Sequence, residues 1–584
     1  EKARGGRRRL GNLPFSLSLS ISPHTAEEAA HRRCAMKSPE GEEDYLRLSR
    51  HHLSSLADSL LAVRSFRGRW SAVAPKLDRL SAALDDLSDL PHLHSNPLSA
   101  DLLRSLSHTL RAALHLSLLC HSPDLPPAKL RTQSDIAAAS AALDQHLSDA
   151  DLILRTGVLL DPPRSPPGSR RELVRAEARS LVTRLQIGGA ASRGAALDEL
   201  VGLLREDDKN VLIAAAQGAV PALVRLLDSP CQGTKEKAVA AISTVSSVES
   251  CRSVLVAEGV PLLNHLARVL DSGGGLAKEK ACLALQTLTL TKENARAFGC
   301  RGGVFSLLQI CQAGTPASQA AAAGVLKNLA AIDEIRPIFA EEGAVPVLIG
   351  LCASGTVAAQ ENTIACLRDL AEGPDVKTLI SREGGVDCLK NYWDGQGRNL
   401  EPAAGLLRCL ASSNLVAEHL VAAGFVPRAV AALCGESAAT RTEAARAIHE
   451  LGHRGKAAKE MGEAGCVPRL VRMLEAKGSE EKEAAVRALA SLLAAADNRR
   501  AFRKDERGIM NTVQLLDPLL PCVNKRYPIS VLASVSQSRK CRKRMVEAGA
   551  CGFLQRLVDM EVEGARKLLE TLGRGKIWGV FTRT

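Results

Sequence analysis

The sequence has few aromatic residues: 9 Phe, 3 Trp and 3 Tyr make up 3% of its 584 residues. Folds rich in β-structure favour aromatic and β-branched side chains, so this scarcity favours helices built from Leu, Ala and Val. Proteins that bind single-stranded nucleic acid stack the bases on aromatic side chains along a basic groove. The low aromatic content therefore argues against nucleic-acid binding as well as against a β-fold.

Long apolar runs and common catalytic motifs are also missing. No stretch of about 18 uninterrupted apolar residues occurs, which argues against a transmembrane segment. The sequence contains no phosphate-binding loop or nucleophile elbow, and Gly395-Gln396-Gly397 lacks the third glycine of a dinucleotide-binding loop. We therefore predict that the protein is not an enzyme and uses no cofactor.

The 16 cysteines form no C-x-x-C pair and no cluster with the spacing of a zinc site. They recur within helical patterns, as at Cys282, Cys366 and Cys409, where a free thiol packs as a small apolar group. This usage is typical of a reducing compartment. His449 and His453 have the spacing of two metal ligands on a helix, but no third ligand is near, so no metal site is predicted.

A short phrase built around glycine returns at regular intervals, and its fullest form is Gly-x-Val-Pro. Its glycines are Gly218, Gly259, Gly302, Gly343, Gly384, Gly424, Gly465 and Gly549. The intervals are 40 to 43 residues, except for the last one of 84, which a degenerate copy at Arg507-Gly508-Ile509 divides in two. The pattern therefore predicts nine repeats.

Each repeat has the same internal pattern. A short apolar helix ends at the glycine, which supplies a turn with positive φ, and proline, where it is present, begins the next helix. A polar loop and a longer amphipathic helix follow, for example Ala320 to Ala331. One such unit cannot bury its apolar face alone, whereas stacked units share a continuous core. The pattern predicts an α-solenoid.

The period, the glycine turn and the third-helix phrase Ala323-Gly324-Val325-Leu326-Lys327-Asn328-Leu329-Ala330 resemble the armadillo repeat. HEAT repeats, the nearest alternative, have two helices and lack this turn. The resemblance covers residues 170–584 and implies an all-α, right-handed α-solenoid of about nine to ten repeats. An unpaired third helix at Ala195 to Arg205 is expected to open the stack.

The sequence before the repeats lacks the period but has apolar residues at helical spacing in four segments. We predict a four-helix bundle over residues 44–160, then a proline-rich linker over 161–169. Residues 1–43 are expected to be disordered, or to be sequence upstream of a start at Met36. A basic stretch near Arg7 mimics a signal peptide, but alternating serines interrupt its apolar part.

This arrangement resembles plant armadillo proteins whose N-terminal helical domain is similar to that of plant U-box ubiquitin ligases. The resemblance lies in Leu110 to Cys120, Lys129 to Thr132, Thr183 to Gly188, Cys311 to Thr315 and Arg574 to Trp578. The U-box itself, about 70 residues long in that family, is absent between bundle and repeats. The resemblance therefore implies a non-catalytic scaffold or adaptor that binds proteins in its groove. Two alternatives stay open: a substrate-binding or decoy component of ubiquitin ligation, and a peripheral membrane-associated scaffold.

The third helices of stacked repeats are expected to line one concave surface. Through the repeats, the position of Asn328 is occupied by Glu199, Thr244, Thr287, Asn328, Asp369, Cys409, Glu450, Ser491, Ser534 and Thr571. Armadillo proteins that clamp extended peptides usually have Asn here, and nuclear-import adaptors add Trp one turn earlier. No Trp occurs in that row, so the resemblance does not imply a receptor for basic import signals.

Basic residues occur beside this position in successive repeats: Lys327, Arg368, Arg408 and His449. One interpretation is a basic line that binds an acidic or phosphorylated protein segment through charge-assisted hydrogen bonds. The other is four unrelated surface residues. The candidate groove residues are Lys327, Asn328, Arg368, Asp369, Arg408, His449 and Glu450. The net charge of +12 also permits an acidic partner or an anionic lipid surface.

A second basic cluster precedes the last repeat and contains Arg539, Lys540, Arg542, Lys543 and Arg544. Dense Lys/Arg runs act as nuclear localisation signals, although a solvated loop and helix start is the favoured interpretation of this cluster. With no membrane span predicted, we expect a cytoplasmic or nuclear protein, or one present in both compartments.

Overall fold

The computed structural model describes residues 44–122, 129–159, 170–520 and 523–573. Every regular element within these ranges is helical, which confirms the all-α prediction. The chain divides into two compact units, Glu1–Asp161 and Pro162–Thr584. The predictions for residues 1–43 and for the linker 161–169 fall outside the described residues, as does the segment Arg574 to Trp578.

The described residues of the first unit, 44–122 and 129–159, contain four long helices and one short one. They are Tyr45–Leu61, Arg67–Trp70, Ala74–Ser88, Pro97–Leu119 and Lys129–Thr156. Each long helix packs against two of the others, which closes a four-helix bundle. Leu56, Leu84, Leu110 and Ile136 are fully buried between them. Apolar residues repeat every three or four positions along each helix, so one stripe faces the bundle interior.

The second unit opens with two helices, Arg170–Ile187 and Ala190–Glu206. These helices pack against each other, so the prediction of an unpaired opening helix is wrong. The helix Arg170–Ile187 covers the apolar face of Ala190–Glu206. The repeat period does not predict this first helix, because it precedes the first glycine phrase.

Nine three-helix repeats follow the opening pair, in agreement with the count predicted from the glycines. Their helices are Asp208–Ala216, Ala219–Leu226 and Gln232–Ser247; Arg252–Ala257, Gly259–Ser272 and Gly275–Leu288; Lys292–Phe298, Val304–Ala313 and Pro316–Ala330; Arg336–Glu341, Ala344–Ser354 and Val357–Leu370; Pro374–Arg382, Gly385–Trp393 and Glu401–Ala411; Asn414–Ala422, Phe425–Ala432 and Ala438–Gly452; Gly455–Glu463, Cys466–Met473 and Ser479–Leu492; Ala496–Lys504, Glu506–Gln514 and Arg526–Val535; and Arg539–Glu547, Ala550–Asp559 and Ala565–Gly573. A 3-10 turn at Glu249–Cys251 and a kinked turn at Gly299–Gly303 interrupt the second and third repeats.

The glycine turns have the predicted conformation. All eight phrase glycines have positive φ, between 58° at Gly259 and 91° at Gly384. The degenerate copy differs: Gly508 lies inside the helix Glu506–Gln514, which begins instead with the side chain of Asp505 accepting a hydrogen bond from the Arg507 amide. In that repeat a side-chain cap replaces the glycine turn.

A single apolar core runs through the second unit, because each repeat buries its helices against those of the next repeat. Phe339, Phe425 and Phe502 are among its largest fully buried side chains. Twelve described cysteines are free thiols, as predicted, and eight of them are buried. Cys352 and Cys388 depart from the prediction, because a disulfide joins them across the second helices of adjacent repeats.

No single helix in the described ranges has the length and apolar character needed to cross a membrane. Two helix pairs, Gln232–Ser247 with Glu249–Ala257 and Asn414–Ala422 with Phe425–Ala432, meet the criteria of length and composition only when joined, and each pair is sharply bent at its break.

Candidate protein-binding groove

The candidate site is the surface formed by the third helices, each of which packs against the third helix of the next repeat. Glycines on this surface leave room for side chains from the neighbouring repeat. A Cβ atom at Gly405 would lie 2.7 Å from Cδ of Arg368, and one at Gly324 would lie 2.5 Å from Nε2 of Gln286. These small residues let long polar side chains lie across the groove from one repeat to the next.

Asn328 occupies the position that contacts peptide backbones in peptide-clamping armadillo proteins. Here its Nδ2 donates to the Gln286 carbonyl oxygen at 2.8 Å and to Thr289 Oγ1 at 3.1 Å. Both acceptors belong to the preceding repeat, so the amide donor is used to join two repeats. At this position, hydrogen bonds between two repeats of the chain therefore stabilise the groove.

Arg368 lies between two carboxylates. Its Nε donates to Asp369 Oδ1 at 2.8 Å, and one terminal nitrogen donates to Glu401 Oε1 of the next repeat at 3.1 Å. Burial by itself would lower the pKa of the Arg368 guanidinium, but the hydrogen bond and charge of Asp369, with the charge of Glu401, raise it. Arg368 is thus a cation whose charge is already opposed by acidic neighbours.

The next repeats continue the same pattern. Arg408 Nε donates to Glu443 Oε2 at 2.9 Å, and the other oxygen of Glu443 accepts from Arg446 at 2.7 Å. Arg487 lies 3.6 Å from Glu450 Oε1. We call the set Arg368, Asp369, Glu401, Arg408, Glu443, Arg446, Glu450 and Arg487 the ion-pair ladder. It extends through the fourth to seventh repeats and contains four residues of each sign.

His449 adds no positive charge to this surface. It is 8% exposed. Burial, with the nearby charges of Arg487 and His453, lowers the pKa of His449 to about 4. Its Nδ1–H donates to the Arg487 carbonyl oxygen at 3.0 Å. The rings of His453 and Tyr527 contact the His449 ring with centroid distances of 4.7 and 6.0 Å. His449 is a neutral packing residue at neutral pH.

Lys327 differs from the other members of the predicted basic line. No ion pair involves it within the part of the chain that the structure describes, and its side chain is partly exposed. The four residues of the line do lie on successive third helices, as predicted. Lys327 is the one among them whose charge is neither paired nor lost through burial.

The five residues of the second basic cluster lie on the helix Arg539–Glu547. Arg542 donates to the Ser536 carbonyl oxygen at 2.7 Å, Lys543 lies 3.6 Å from Glu547, and Arg544 pairs with Glu506. Arg539 and Lys540 are exposed. The cluster is thus presented by a folded helix.

Sequence reasoning identified Asp369 and Glu450 but missed the other two acidic residues of the ladder, Glu401 and Glu443. Glu443 lies seven residues before Glu450, and Glu401 lies eight residues before Cys409. Glu450 and Cys409 are equivalent to Asn328 in their repeats, so each glutamate lies about two helical turns before that position on the same helix face. That spacing could have identified Glu401 and Glu443 from the sequence. Tyr527, whose ring lies 5.6 Å from the Arg487 guanidinium carbon, belongs to the degenerate repeat and has no counterpart in the pattern.

Residues His449 to His453 have the H-E-x-x-H pattern of zinc-binding helices, but no group of three or more His, Cys, Asp or Glu side chains in the described ranges could hold an ion. The groove chemistry consists of paired charges and amide donors. Such a surface can bind polypeptide by hydrogen bonds and ion pairs.

Comparison with known families agrees with this geometry. A family model for the armadillo/beta-catenin-like repeat matches residues 207–247, and a model described as a domain of unknown function, DUF7032, matches residues 47–158. The chain therefore contains an armadillo repeat and is an all-helical solenoid. A search of curated proteins finds no significant match.

Among solved structures, 320 chains match, so the architecture is a common one and does not specify a particular function. One of them is the crystal structure of an engineered protein. It is 25% identical to this chain, with a TM-score of 0.58 over 68% of this chain and 99% of the engineered protein.

Proposed function

We propose that the protein is a non-catalytic scaffold or adaptor that binds a partner protein along the third-helix groove. The observation that carries the proposal is the ion-pair ladder, which lies partly exposed on four successive third helices. Side-chain exposure in it ranges from 14% at Glu443 to 37% at Arg408, so the pairs are held in place but are accessible to a partner. Armadillo repeats generally mediate protein–protein interaction, which supports the same conclusion.

The partner segment in this proposal carries acidic or phosphorylated residues. Such a group would contact Lys327 first and would then replace Asp369, Glu401 or Glu443 as the acceptor of an arginine. A phosphate group has three strong acceptor oxygens and nearly two negative charges, so it competes well with one carboxylate for a guanidinium. The incoming group would keep the arginine paired, and the carboxylates that it displaces are 14–33% exposed, so water can reach them.

If an acidic group of the partner replaces a ladder carboxylate, substitutions of the acidic and of the basic residues of the ion-pair ladder should have opposite effects on binding. Partners would first be identified by proximity labelling in cells, and binding of the identified segment to the purified chain would then be measured by calorimetry. Glu401→Gln and Glu443→Gln should tighten binding, because each releases an arginine from a competing carboxylate. Arg368→Gln and Arg408→Gln should weaken it.

Arg428→Gln provides a matched control. Arg428 pairs with Asp394 at 2.5 Å across two second helices, so the variant removes an inter-repeat ion pair away from the third helices. Its affinity should equal that of the unmodified chain. If the Glu→Gln and the Arg→Gln variants weaken binding equally, the acidic-segment proposal is wrong. If no ladder variant changes the affinity, the groove proposal itself is contradicted.

Further parts of the proposal rest on the sequence. A relationship to plant U-box armadillo proteins is supported by the segments quoted for it, and the missing U-box predicts no autoubiquitination with purified activating and conjugating enzymes. Cytoplasmic or nuclear location is proposed from composition. A fluorescent fusion in which Arg539 and Lys540 are changed to Ala tests whether the basic cluster contributes to nuclear entry.

A further inference from the structure

The described residues contain one disulfide, between Cys352 and Cys388. Cys352 lies on the second helix of the fourth repeat, Ala344–Ser354, and Cys388 lies on that of the fifth repeat, Gly385–Trp393. Their Cα atoms are 6.4 Å apart, which is within the range that a disulfide spans. We call the contact between these two repeats the repeat 4–5 joint. The bond fixes the distance between the two second helices at this joint.

The fold of the joint does not require this bond. Second helices also pack directly against each other between the second and third repeats and between the third and fourth, where the described cysteines are free thiols. The apolar core is continuous through all of these contacts. Because adjacent repeats are held together by burial alone elsewhere, breaking the S–S bond should leave the joint folded.

The preceding joint shows what the bond depends on. Cys311, on the second helix of the third repeat, lies 41 residues before Cys352, and Val347 lies 41 residues before Cys388. The two positions that are cross-linked at the repeat 4–5 joint are therefore occupied by cysteine and valine at the joint before it. Cys311 is a free thiol, and burial raises its pKa to about 12. Cysteine in place of valine thus separates a cross-linked pair from an inert thiol.

Polar contacts hold the third-helix side of the same joint. Arg368 of the fourth repeat donates to Glu401 Oε1 of the fifth at 3.1 Å, and Asn399 Nδ2 donates to Glu361 Oε1 at 2.8 Å. The side chains of Arg368 and Glu401 are 26% and 33% exposed, so water weakens their ion pair. These contacts can break and re-form freely. The S–S bond can do so only with a change of redox state.

We propose that Cys352 and Cys388 form a redox switch that controls the mobility of the groove at the repeat 4–5 joint. In the oxidised state, the disulfide holds the two second helices together. In the reduced state, the two thiols pack as small apolar groups, and the joint opens more often together with the Arg368–Glu401 pair. The proposal concerns the joint itself and holds whether or not the groove binds an acidic segment.

Hydrogen peroxide is an oxidant that can close the switch. The thiolate of one cysteine attacks a peroxide oxygen and the O–O bond breaks, which gives a sulfenic acid and a hydroxide that takes up the thiol proton as water. The second thiol attacks the sulfenic sulfur, the S–O bond breaks, and a second water leaves with the remaining proton. Two electrons pass from the thiols to the peroxide.

Reduced glutathione can open the switch again. Its thiolate attacks one sulfur of the disulfide, and the S–S bond breaks to give a mixed disulfide and one free thiol. A second glutathione attacks the glutathione sulfur of the mixed disulfide. The other protein thiol is released, and glutathione disulfide carries away the two-electron oxidation.

A redox titration of the full chain tests the switch. The protein is equilibrated with mixtures of reduced and oxidised glutathione or with peroxide, its free thiols are alkylated under denaturing conditions, and its peptides are analysed by mass spectrometry. We expect Cys352 and Cys388 to change together from alkylated to cross-linked, and to revert in reduced glutathione. The proposal is overturned if the pair stays reduced in every mixture, or stays bonded in reduced glutathione alone.

Cys352→Ala and Cys388→Ala each remove the switch, and Cys311→Ala is the matched control. Cys311 is buried at the equivalent position of the third repeat, so its variant makes the same chemical change without touching the pair. Circular dichroism checks that all three variants fold. The redox response should be lost in the first two variants and kept in Cys311→Ala.

Hydrogen exchange measured by mass spectrometry reports the mobility of the joint. Amides of the third helices Val357–Leu370 and Glu401–Ala411 should exchange roughly threefold faster or more in the reduced chain than in the oxidised one. Those of the ninth repeat should not change. Cys352→Ala should match the reduced chain under both conditions. Equal exchange in the two redox states would overturn the proposal, as would a redox response that persists in Cys352→Ala.

Discussion

Glycines serve two different purposes in the repeats, and single substitutions should separate them. Gly465 has φ 74°, and a Cβ atom there would meet nothing within 4 Å. Gly508 lacks a positive φ, but a Cβ atom there would lie 2.9 Å from the ring of Phe502. The first glycine is required by backbone conformation, the second by close packing against a buried side chain.

Substitutions at these two positions should therefore rank in opposite orders. At Gly465, Ala should cost about 1 kcal/mol and Asn less, because Asn tolerates the left-handed region better. At Gly508, Asn should cost more than Ala, since the larger side chain meets Phe502; overpacking of this kind costs about 1–3 kcal/mol. Urea denaturation followed by circular dichroism measures the order, and the same order at both positions would contradict this assignment.

His449 should make stability depend on pH in acid. Because its pKa in the folded chain is lowered to about 4, while an unfolded histidine titrates near 6.5, the unfolded state binds the proton first. Its contribution is therefore fully present above about pH 6.5, decreases as the pH falls toward 4 and then levels off, a loss of at most ~3 kcal/mol.

Comparison with His449→Gln isolates this effect from other acid titrations. The urea midpoint of the unmodified chain should fall more steeply between pH 6.5 and 4.5 than that of the variant, because glutamine does not titrate. Parallel curves would mean that His449 accepts a proton in the folded protein without penalty, and would contradict the buried, neutral assignment.

At the scale of helices, the carbonyl groups at the ends of the third helices require donors. The first helix of the following repeat supplies them: Asn294 donates to the Leu288 carbonyl at 3.2 Å, Arg336 to Ala330 at 2.9 Å and Asn498 to Leu492 at 3.0 Å. The last turn of a helix leaves carbonyls without intrahelical partners, so these side chains complete it. Each repeat thus finishes the helix of its predecessor.

Asn498→Ala should be strongly destabilising for a substitution that removes only a carboxamide group. Asn498 is 1% exposed and donates also to the Ala458 carbonyl at 2.8 Å, so its loss removes two buried hydrogen bonds. We expect a cost of about 1–3 kcal/mol. Asn264→Ala, at an exposed asparagine, should stay within about 0.5 kcal/mol in the same urea assay. Equal effects would show that the donor role of Asn498 is dispensable.

At the scale of the whole solenoid, each repeat contacts mainly its neighbours, so disturbance should spread only locally. Phe425 is fully buried in the sixth repeat and its ring contacts Trp393 of the fifth with a centroid distance of 5.9 Å. Phe425→Ala should cost about 3–5 kcal/mol through the cavity that it leaves.

Hydrogen exchange measured by mass spectrometry can show which repeats Phe425→Ala destabilises. Amide protection should fall most in the fifth to seventh repeats and least in the first and ninth, because coupling passes through successive interfaces. Uniform loss of protection across residues 208–573 would instead mean that the repeats unfold as one cooperative unit.

The sequence by itself determined the repeat architecture. A glycine with positive φ and an apolar period of three to four residues are local properties, so their spacing gave nine repeats and eight correctly placed turns. The exception, Gly508, kept the spacing of the phrase but not its conformation, because Asp505 caps that helix instead.

Tertiary structure alone decided the chemistry of the surfaces. Glu401 and Glu443, which pair with Arg368 and Arg408 from the next repeat, lie 33 and 35 residues further along the chain, so these contacts depend on how adjacent repeats stack. The burial that lowers the pKa of His449 and the disulfide between Cys352 and Cys388 arise in the same way. Charge, reactivity and hydrogen bonding at a site depend on neighbours that only the folded chain brings together.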